Sequence, residues 1–539
     1  MKLNYNYLTA FLGVVIGVLA TLILLRRPAP ILLRRPAPSE HTVMFDGDYN
    51  QWRKLNLMLQ QIGNEYVDTI DMEAMTDAAI TAALAKLDPH SLYLPPVELE
   101  EAEDQLAGNF EGIGITFNVP GDTAIVLNVI PGGPSEKAGL IPGDRIIKVD
   151  AKVIAGTKTL QDSMVKLMRG PAGTKVDILI NRDGTSVPFE ITRGKIPQHS
   201  VDAAFMIDDR TGYIKLAKFS RTTSAEFIEA SQKLVEAGME KLIFDLRGNT
   251  GGYFDQALLI SNEFLHKGDG IVYMEGRNRK REQYDADGDG QLQDIELVVL
   301  IDESSASSSE IFAGAIQDND RGLVVGRRSF GKGLVQEPIY FTDGSGLRLT
   351  VARFHTPSGR CIQKPYDGDY AYDIIDRYAH GEMLSADSIK VDTTAVYLTA
   401  KGRKVYGGGG IIPDVFVPID TTLATNFHIQ CNKKATSMRF ASVMFDRYKS
   451  DLSKIDNFAD LEAYLGKLDV EGQFLAYAAK VDGIRPKAGE WEETREYLMP
   501  QVLGLVGRYS KVGEEAFYRF FMPLDEEIQT ALNSQASIQ

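Results

Sequence analysis

Two strand-to-loop junctions and one lysine gather the residues of this chain that could do chemistry. KLIFD runs into DLRGNTGG (245–252), and VVLID runs into DESSASSSE (302–310). A third stretch, RRSFGKGLVQ (327–336), sets Lys332 between Gly331 and Gly333. Loops at the carboxyl ends of strands are where α/β proteins often place a site. The serine-rich loop offers nucleophiles, so the question is which base could activate one. None of the seven histidines (His41, His90, His199, His266, His355, His380, His428) lies in a Gly- or Ser-rich strand-end motif. A Ser-His-Asp triad can still assemble from distant positions, but no G-x-S-x-G elbow marks its serine. A lysine flanked by glycines can be fitted against other backbone and stripped of water. Desolvation lowers its pKa and supplies a neutral amine as base. Each feature also has a bland reading: a polar loop, and a turn with a solvated lysine. Gly326-x4-Gly331-Lys332 has the outline of a phosphate loop. It fails because Gly333 lacks the hydroxyl for Mg²⁺ and a strand-like LVQEPIYF follows where a helix is required.

The elements around these motifs alternate. TGYIKLAKF (211–219), a helix from Ser224 to Ala237, the strand at 241–245, VVLID (298–302), a helix near Glu310–Gln317 and LVVG (323–326) predict an α/β core over 196–420. Upstream, 110–195 is β-rich, with GIGITFNV (112–119), AIVLNVI (124–130), Val176–Ile180 and Val187–Ile191 as strands. Short helices are expected near Ser135–Ala138 and Thr159–Met168. Segment 46–109 is read as helical, broken by the turn LDPHSLYL (87–94), whose His90 is taken as structural. The region 421–539 is helical too. Phe458, Leu461, Tyr464, Leu465 and Leu468 recur at helical spacing after a cap at Asp456 or Asn457, and Trp491, Tyr497 and Phe517–Phe521 are core. The fold class is therefore multidomain α+β, with an α/β core.

Two resemblances rest on these strings. Gly112-Ile113-Gly114-Ile115 followed by SEKAGLIPGDRIIKVD resembles a PDZ domain. A Gly-flanked loop can aim backbone N–H groups at a carboxylate while an exposed strand edge pairs with an extended peptide. The three strand-end segments together resemble the carboxyl-terminal processing peptidases, or tail-specific proteases. Their pattern S-A-S-A-S-E, A-G-A-x-x-D, F-G-K-G-x-V-Q reads here as SASSSE (305–310), AGAIQD (313–318) and FGKGLVQ (330–336). LDPHSLYL, DLRGNTGG, TPSGRCIQ (356–363) and GGGGIIPDV (407–415) match further family stretches. The resemblance implies Ser307 as nucleophile, Lys332 as base and Gln336 as its support. It also implies oxyanion amides from Ser308 and from Gly251 or Gly252. Ser308 replaces the family's usual alanine, so Ser305, Ser308 and Ser309 are decoys. The implied activity is that of a serine endopeptidase acting on proteins with free C-termini, with no cofactor needed for catalysis. A homodimer built by terminal helices is implied as well. The alternative is a catalytically silent PDZ scaffold that captures protein tails.

The remaining features bound this reading. With 539 residues, the chain has room for three or four domains at roughly 150 each. Its 58 Lys+Arg against 74 Asp+Glu leave a net charge of −16, which argues against a nucleic-acid partner. Cys361 and Cys431 are too few for a disulfide framework or a multi-Cys zinc site. Leu8–Leu25 is 18 residues without a charge, read as an uncleaved membrane anchor with a signal peptide as the competing reading. ILLRRPAP then occurs twice, at 23–30 and 31–38, as a linker. Its arginines would keep the bulk of the chain cytoplasmic, whereas the family resemblance implies export to the periplasmic or extracytoplasmic face. The divisions are 1–27, 28–45, 46–109, 110–195, 196–420 and 421–539. Finally, DADGDGQLQDIE (285–296) fits a calcium loop, with Asp285, Asp287, Asp289, Gln291 and Glu296 as ligands, although no helix flanks it.

Overall fold

The computed structural model describes residues 49–119, 122–366, 370–421 and 425–534. The expected anchor and the duplicated octapeptide lie outside them. Among the described residues, no helix is long and apolar enough to cross a membrane.

The centre is a six-stranded sheet in the order Val201–Met206, Thr211–Leu216, Lys241–Asp245, Glu296–Ile301, Leu323–Gly326 and Val415–Phe416. The first pair is antiparallel and every other pair is parallel. Every residue of Thr211–Leu216 and of Lys241–Asp245 is buried. This explains the unbroken apolar runs: parallel strands covered on both faces need no polar alternation. On one face Ile214, Phe244 and Val299 pack against Phe227, Ile260, Phe264 and Phe312 of the covering layer. The other face shows Tyr213, Ile243, Val298 and Val325, and the C-terminal residues Met522, Ile528 and Ala531 cover it. Residues 522–531 are therefore part of the core.

A second sheet joins Leu92–Leu94, Gly346–His355, Gly270–Gly276 and Arg279–Asp285, with Leu334–Tyr340 also on Gly346–His355. The turn 87–94, expected to be a break between helices, thus contributes a strand (Leu92 opposite Arg348, Leu94 opposite Gly346). Helical periodicity upstream gave no sign of this pairing, because its partner lies far along the chain. The β-rich module has the strand order Ile115–Asn118, Ala124–Val129, Arg145–Val149, Lys175–Arg182, Thr185–Thr192, with Ile115–Asn118 at an open edge. A two-stranded ribbon, Asn109–Gly112 on Gly194–Pro197, closes its two chain connections. Seven α-helices, one π-helical turn and one 3-10 turn between Asn426 and Asn533 form the C-terminal region. Its helix Thr436–Leu452 docks the β-rich module: Asn118 Nδ2 donates to Ser442 Oγ at 2.7 Å, Arg145 pairs with Asp446 at 2.5 Å, and Leu127 joins the bundle core.

Phe244 lies edge-on to Phe312 (5.0 Å between centroids) and also meets Phe227 and Phe264. Phe244→Ala should therefore cost about 3–5 kcal/mol. A matching fall in the urea midpoint, followed by far-UV circular dichroism, is the expected result.

Candidate active site

The site forms where three loops leave the carboxyl ends of parallel strands. Strand Glu296–Ile301 ends in the serine loop, and helix Ser308–Asp318 starts directly after Ser307. Ser307 holds φ 57° and ψ −113°. A non-glycine residue in this region stores about 1–3 kcal/mol of strain, and such residues cluster at functional sites. The neighbouring hydroxyls are committed. Ser305 Oγ donates to Leu246 O at 2.9 Å, Ser308 Oγ to Gly252 O at 3.0 Å and Ser309 Oγ to Asn249 O at 2.9 Å. Among the described residues, Ser307 Oγ–H donates to no such carbonyl. This distinguishes Ser307 from the decoys.

Glu310 joins the serine loop to the lysine loop. Its fully buried carboxylate accepts from Ser307 N–H at 2.8 Å, Gly331 N–H at 2.7 Å, Lys332 N–H at 2.8 Å and Ser329 Oγ–H at 2.5 Å. Ser307 and Lys332 share one oxygen, Oε2, so their backbone nitrogens are at most twice 2.8 Å apart. Burial raises the Glu310 carboxyl above its ordinary range, and these four donors pull against that shift.

Lys332 is half-buried, and its flanking glycines are in tight contact. A Cβ on Gly331 (φ 90°) would stand 3.1 Å from Gly410 N, and one on Gly333 would stand 2.9 Å from Gln363 N. Burial pushes the Lys332 ammonium below its ordinary value. Arg348 adds to the shift, while Glu310 and Asp88 oppose it. Lys332 Nζ donates to Gln336 Oε1 at 3.0 Å, and Gln336 Nε2 donates in turn to His90 O. The His90 carbonyl is set by a turn in which Asp88 accepts from His90 N–H at 2.8 Å and Ser91 N–H at 2.9 Å. The His90 ring meets Tyr370 OH at 2.7 Å, and burial, then Lys332, lower its pKa to about 4.

The glycine loop nests against Ser307. A Cβ on Gly251 would stand 2.7 Å from Ala306 O and 2.8 Å from Ser307 Cβ. Gly251 N–H donates to Asn249 Oδ1 at 2.9 Å. The N–H groups of Gly252 and Ser308 have no partner among the described residues. Of the two glycines, Gly252 is thus the one with an amide free for an oxyanion. Asn249, unremarked in the sequence reading, is fully buried. Its side chain holds Leu216 O at 3.0 Å, and its carbonyl receives Ala306 N–H at 3.0 Å. At the far end of the helix Ser308–Asp318, Asp318 pairs with buried Arg360 of the TPSGRCIQ stretch at 2.7 Å. Only local strings hinted at Asn249 and Arg360, since both sit inside the motifs that carry the resemblance.

Gly112–Ile115 sits at the start of the open edge strand. The carbonyls of Ile113 and Gly114 receive Ser135 N–H and Ile130 N–H, and the N–H groups of Ile113 and Gly114 have no partner among the described residues. The loop 285–296 lies elsewhere, on the strand Arg279–Asp285 and the segment after it. No group of three or more His, Cys, Asp or Glu converges among the described residues. Asp287 accepts from Asn262 Nδ2 and Asp289 N–H, and Asp285 accepts from Gln283. Gly290 is pressed so close to Asn262 O that the loop lies flat on the core. Asp285, Asp287, Asp289, Gln291 and Glu296 thus do not converge on one point among the described residues.

Comparison with known proteins agrees with this geometry. Residues 210–372 match peptidase family S41 and residues 112–192 match the PDZ domain. The chain is 35% identical over 317 residues to the carboxy-terminal processing protease CtpA of Bacillus subtilis, covering 58% of this chain and 67% of that protein. It is 35% identical over 322 residues to a carboxy-terminal-processing protease of Bartonella bacilliformis, covering 58% of this chain and 73% of that one. A solved photosystem II D1 C-terminal processing protease aligns at 28% identity over 68% of this chain and 87% of its own, with a TM-score of 0.38, too loose to carry weight.

Glu310→Ala would strand three buried N–H groups and one hydroxyl, at about 1–3 kcal/mol each. The expected loss is several kcal/mol in a denaturant titration, with Glu310→Gln losing less because one acceptor oxygen survives.

Proposed function

The chain belongs to the carboxy-terminal processing proteases of peptidase family S41 and carries a PDZ domain, and from that premise we propose a serine-lysine endopeptidase whose PDZ domain captures free C-terminal tails and gates the site. The supporting observation is the single Glu310 oxygen that holds the backbones of Ser307 and Lys332 together, beside a strained serine with an uncommitted hydroxyl proton. In this reading Ser307 Oγ attacks the scissile carbonyl carbon, and neutral Lys332 Nζ takes its proton. The oxyanion lies between the N–H groups of Ser308 and Gly252. The C–N bond then breaks, Lys332 returns the proton to the leaving nitrogen, and water releases the acyl group. A general base must come within hydrogen-bond reach of its hydroxyl. Here Lys332 Nζ is held by Gln336 instead, so a shift of that amine onto Ser307 completes the site. Tail capture uses the partnerless N–H groups of Ile113 and Gly114 and the open edge of Ile115–Asn118.

The same reading has an uncleaved apolar anchor at 8–25 and an exported catalytic part. Homodimerisation belongs with it, supported by exposed Leu55, Leu57 and Met58 on the helix Tyr49–Glu65.

The decisive experiment is proteolysis of a loosely folded protein by the full-length chain beside Ser307→Ala. Cleavage should disappear in the variant, and amidating the substrate's C-terminus should slow the wild-type enzyme. Undiminished cleavage by Ser307→Ala would refute the serine assignment. Because Lys332 must be neutral to act, kcat/KM should rise with pH and level off below the ordinary lysine value of about 10.4. Lys332→Arg, which cannot give up its proton, should be inactive across that range.

A further inference from the structure

We propose that the terminal helix Glu526–Asn533 is a positioning element for peptide cleavage, acting through Glu527 on all three loops of the active site. This rests on the serine-lysine reading above. Glu527 Oε2 accepts from Arg247 Nη1 and Glu527 Oε1 accepts from Arg327 Nη1. Arg247 belongs to the glycine loop that carries Asn249, Gly251 and Gly252. Arg327 opens the loop that leads to Lys332. Arg327 Nε also donates to Glu303 Oε2 at 2.9 Å, and Glu303 lies in the loop that leads to Ser307. Asp525, which caps the helix by accepting from Ile528 N–H, takes a further bond from Arg247 at 2.9 Å. Little of this is exposed: the Glu527 side chain is 10% accessible, Arg327 11% and Arg247 15%.

Adhesion alone does not explain the arrangement. Met522, Ile528 and Ala531 already fix this end of the chain to the sheet by apolar packing. A buried ion network is a weak source of net stability compared with well-packed hydrophobic side chains, and its attested use is to specify one arrangement. Here the arrangement specified is the relative placement of three loops. The glycine and serine loops also meet directly, through Gly248 N–H to Asp302 Oδ1, Ser305 Oγ–H to Leu246 O, Ser308 Oγ–H to Gly252 O, Ser309 Oγ–H to Asn249 O and Ala306 N–H to Asn249 O, whereas Glu527 is bound to the arginines of the glycine and lysine loops at once. The matched family segment ends at residue 372, so this helix lies outside it.

The test compares full-length wild type, Glu527→Gln, Arg327→Met, the double variant and Glu526→Gln. Glu526 is exposed on the same helix and serves as control. Rates are expressed per folded molecule, from circular dichroism at the assay temperature. Glu527→Gln should lower kcat at least about tenfold, since small misplacements of reacting groups are costly, and leave KM unchanged. It should also move the acid limb of kcat/KM to higher pH as Lys332 gains water. The double variant should lose less than the product of the single losses, because both act on one contact. Glu526→Gln should match wild type. A kcat per folded molecule within about twofold of wild type overturns the proposal, and so does a lower kcat with an unmoved acid limb. Should Glu527→Gln fail to fold, Arg327→Met is read by the same criteria. Ser307→Ala run alongside separates the outcomes: activity surviving in it sinks the serine-lysine reading, whereas a dead Ser307→Ala with a normal Glu527→Gln sinks only the role of the terminal helix.

Discussion

A carboxylate without water must find its solvation inside the protein, and Glu310 finds it in the two loops that matter most. Burying a charge is costly unless every lone pair is answered. Glu310 is answered by the N–H groups of Ser307, Gly331 and Lys332 and by the Ser329 hydroxyl. Those donors come from both sides of the site, so neither loop can move without exposing an unsatisfied group. The same bonds hold Ser307 at its positive φ. The turn between strand and helix leaves the Ser308 amide without a partner among the described residues at the helix start, where backbone dipoles favour negative charge.

The rest of the architecture feeds this junction. The parallel sheet brings the ends of Lys241–Asp245, Glu296–Ile301 and Leu323–Gly326 side by side. Gly251 and Gly252 let the first loop nest where a Cβ would strike Ser307 or the Phe219 carbonyl. Behind the loops, Asp245 is buried. Burial alone would raise its carboxyl, but Arg247 and Lys215 hold it well below the usual range. Its partner Arg247 continues the charge network to the terminal helix. The lysine side depends on more distant chain: Gln336 comes from the second sheet, and its own acceptor comes from the turn at His90.

The strings that carry the candidate site are contiguous in the sequence, and the structure brings them together at one end of the parallel sheet. The serine-rich strand end and the glycine-flanked Lys332 can be singled out because they are short-range features, while Ser307 and Gln336 within them were marked by the family resemblance. Choosing among Ser305, Ser307, Ser308 and Ser309 is harder without coordinates. It turns on which hydroxyl finds a carbonyl, and those carbonyls belong to residues some 60 positions away. His90 illustrates the same limit. Its ring does read as structural, bonded to Tyr370, but its backbone oxygen supports the Gln336 amide, and no side-chain motif encodes a carbonyl's partner. The loop 285–296 shows the converse. Its residue types match a calcium loop position by position, and only coordinates show that the Asp285 carboxylate accepts from Gln283 and the Asp287 carboxylate from Asn262 and the Asp289 N–H.

By itself, the sequence determined the order of the modules, the α/β character of the core, the PDZ form of the β-rich module and the short list of candidate side chains. Each of these is written in periodicity, turn chemistry and contiguous motifs, which act over a few residues. Only the tertiary structure decided that Gly251 is committed to Asn249 while Gly252 is free. The same is true of the strand formed at 92–94, and of the final helix closing one face of the central sheet and reaching all three loops through Glu527. Those outcomes depend on which hydrogen-bonding groups are brought together once water is excluded, and residues far apart in the chain become partners only when the core has packed.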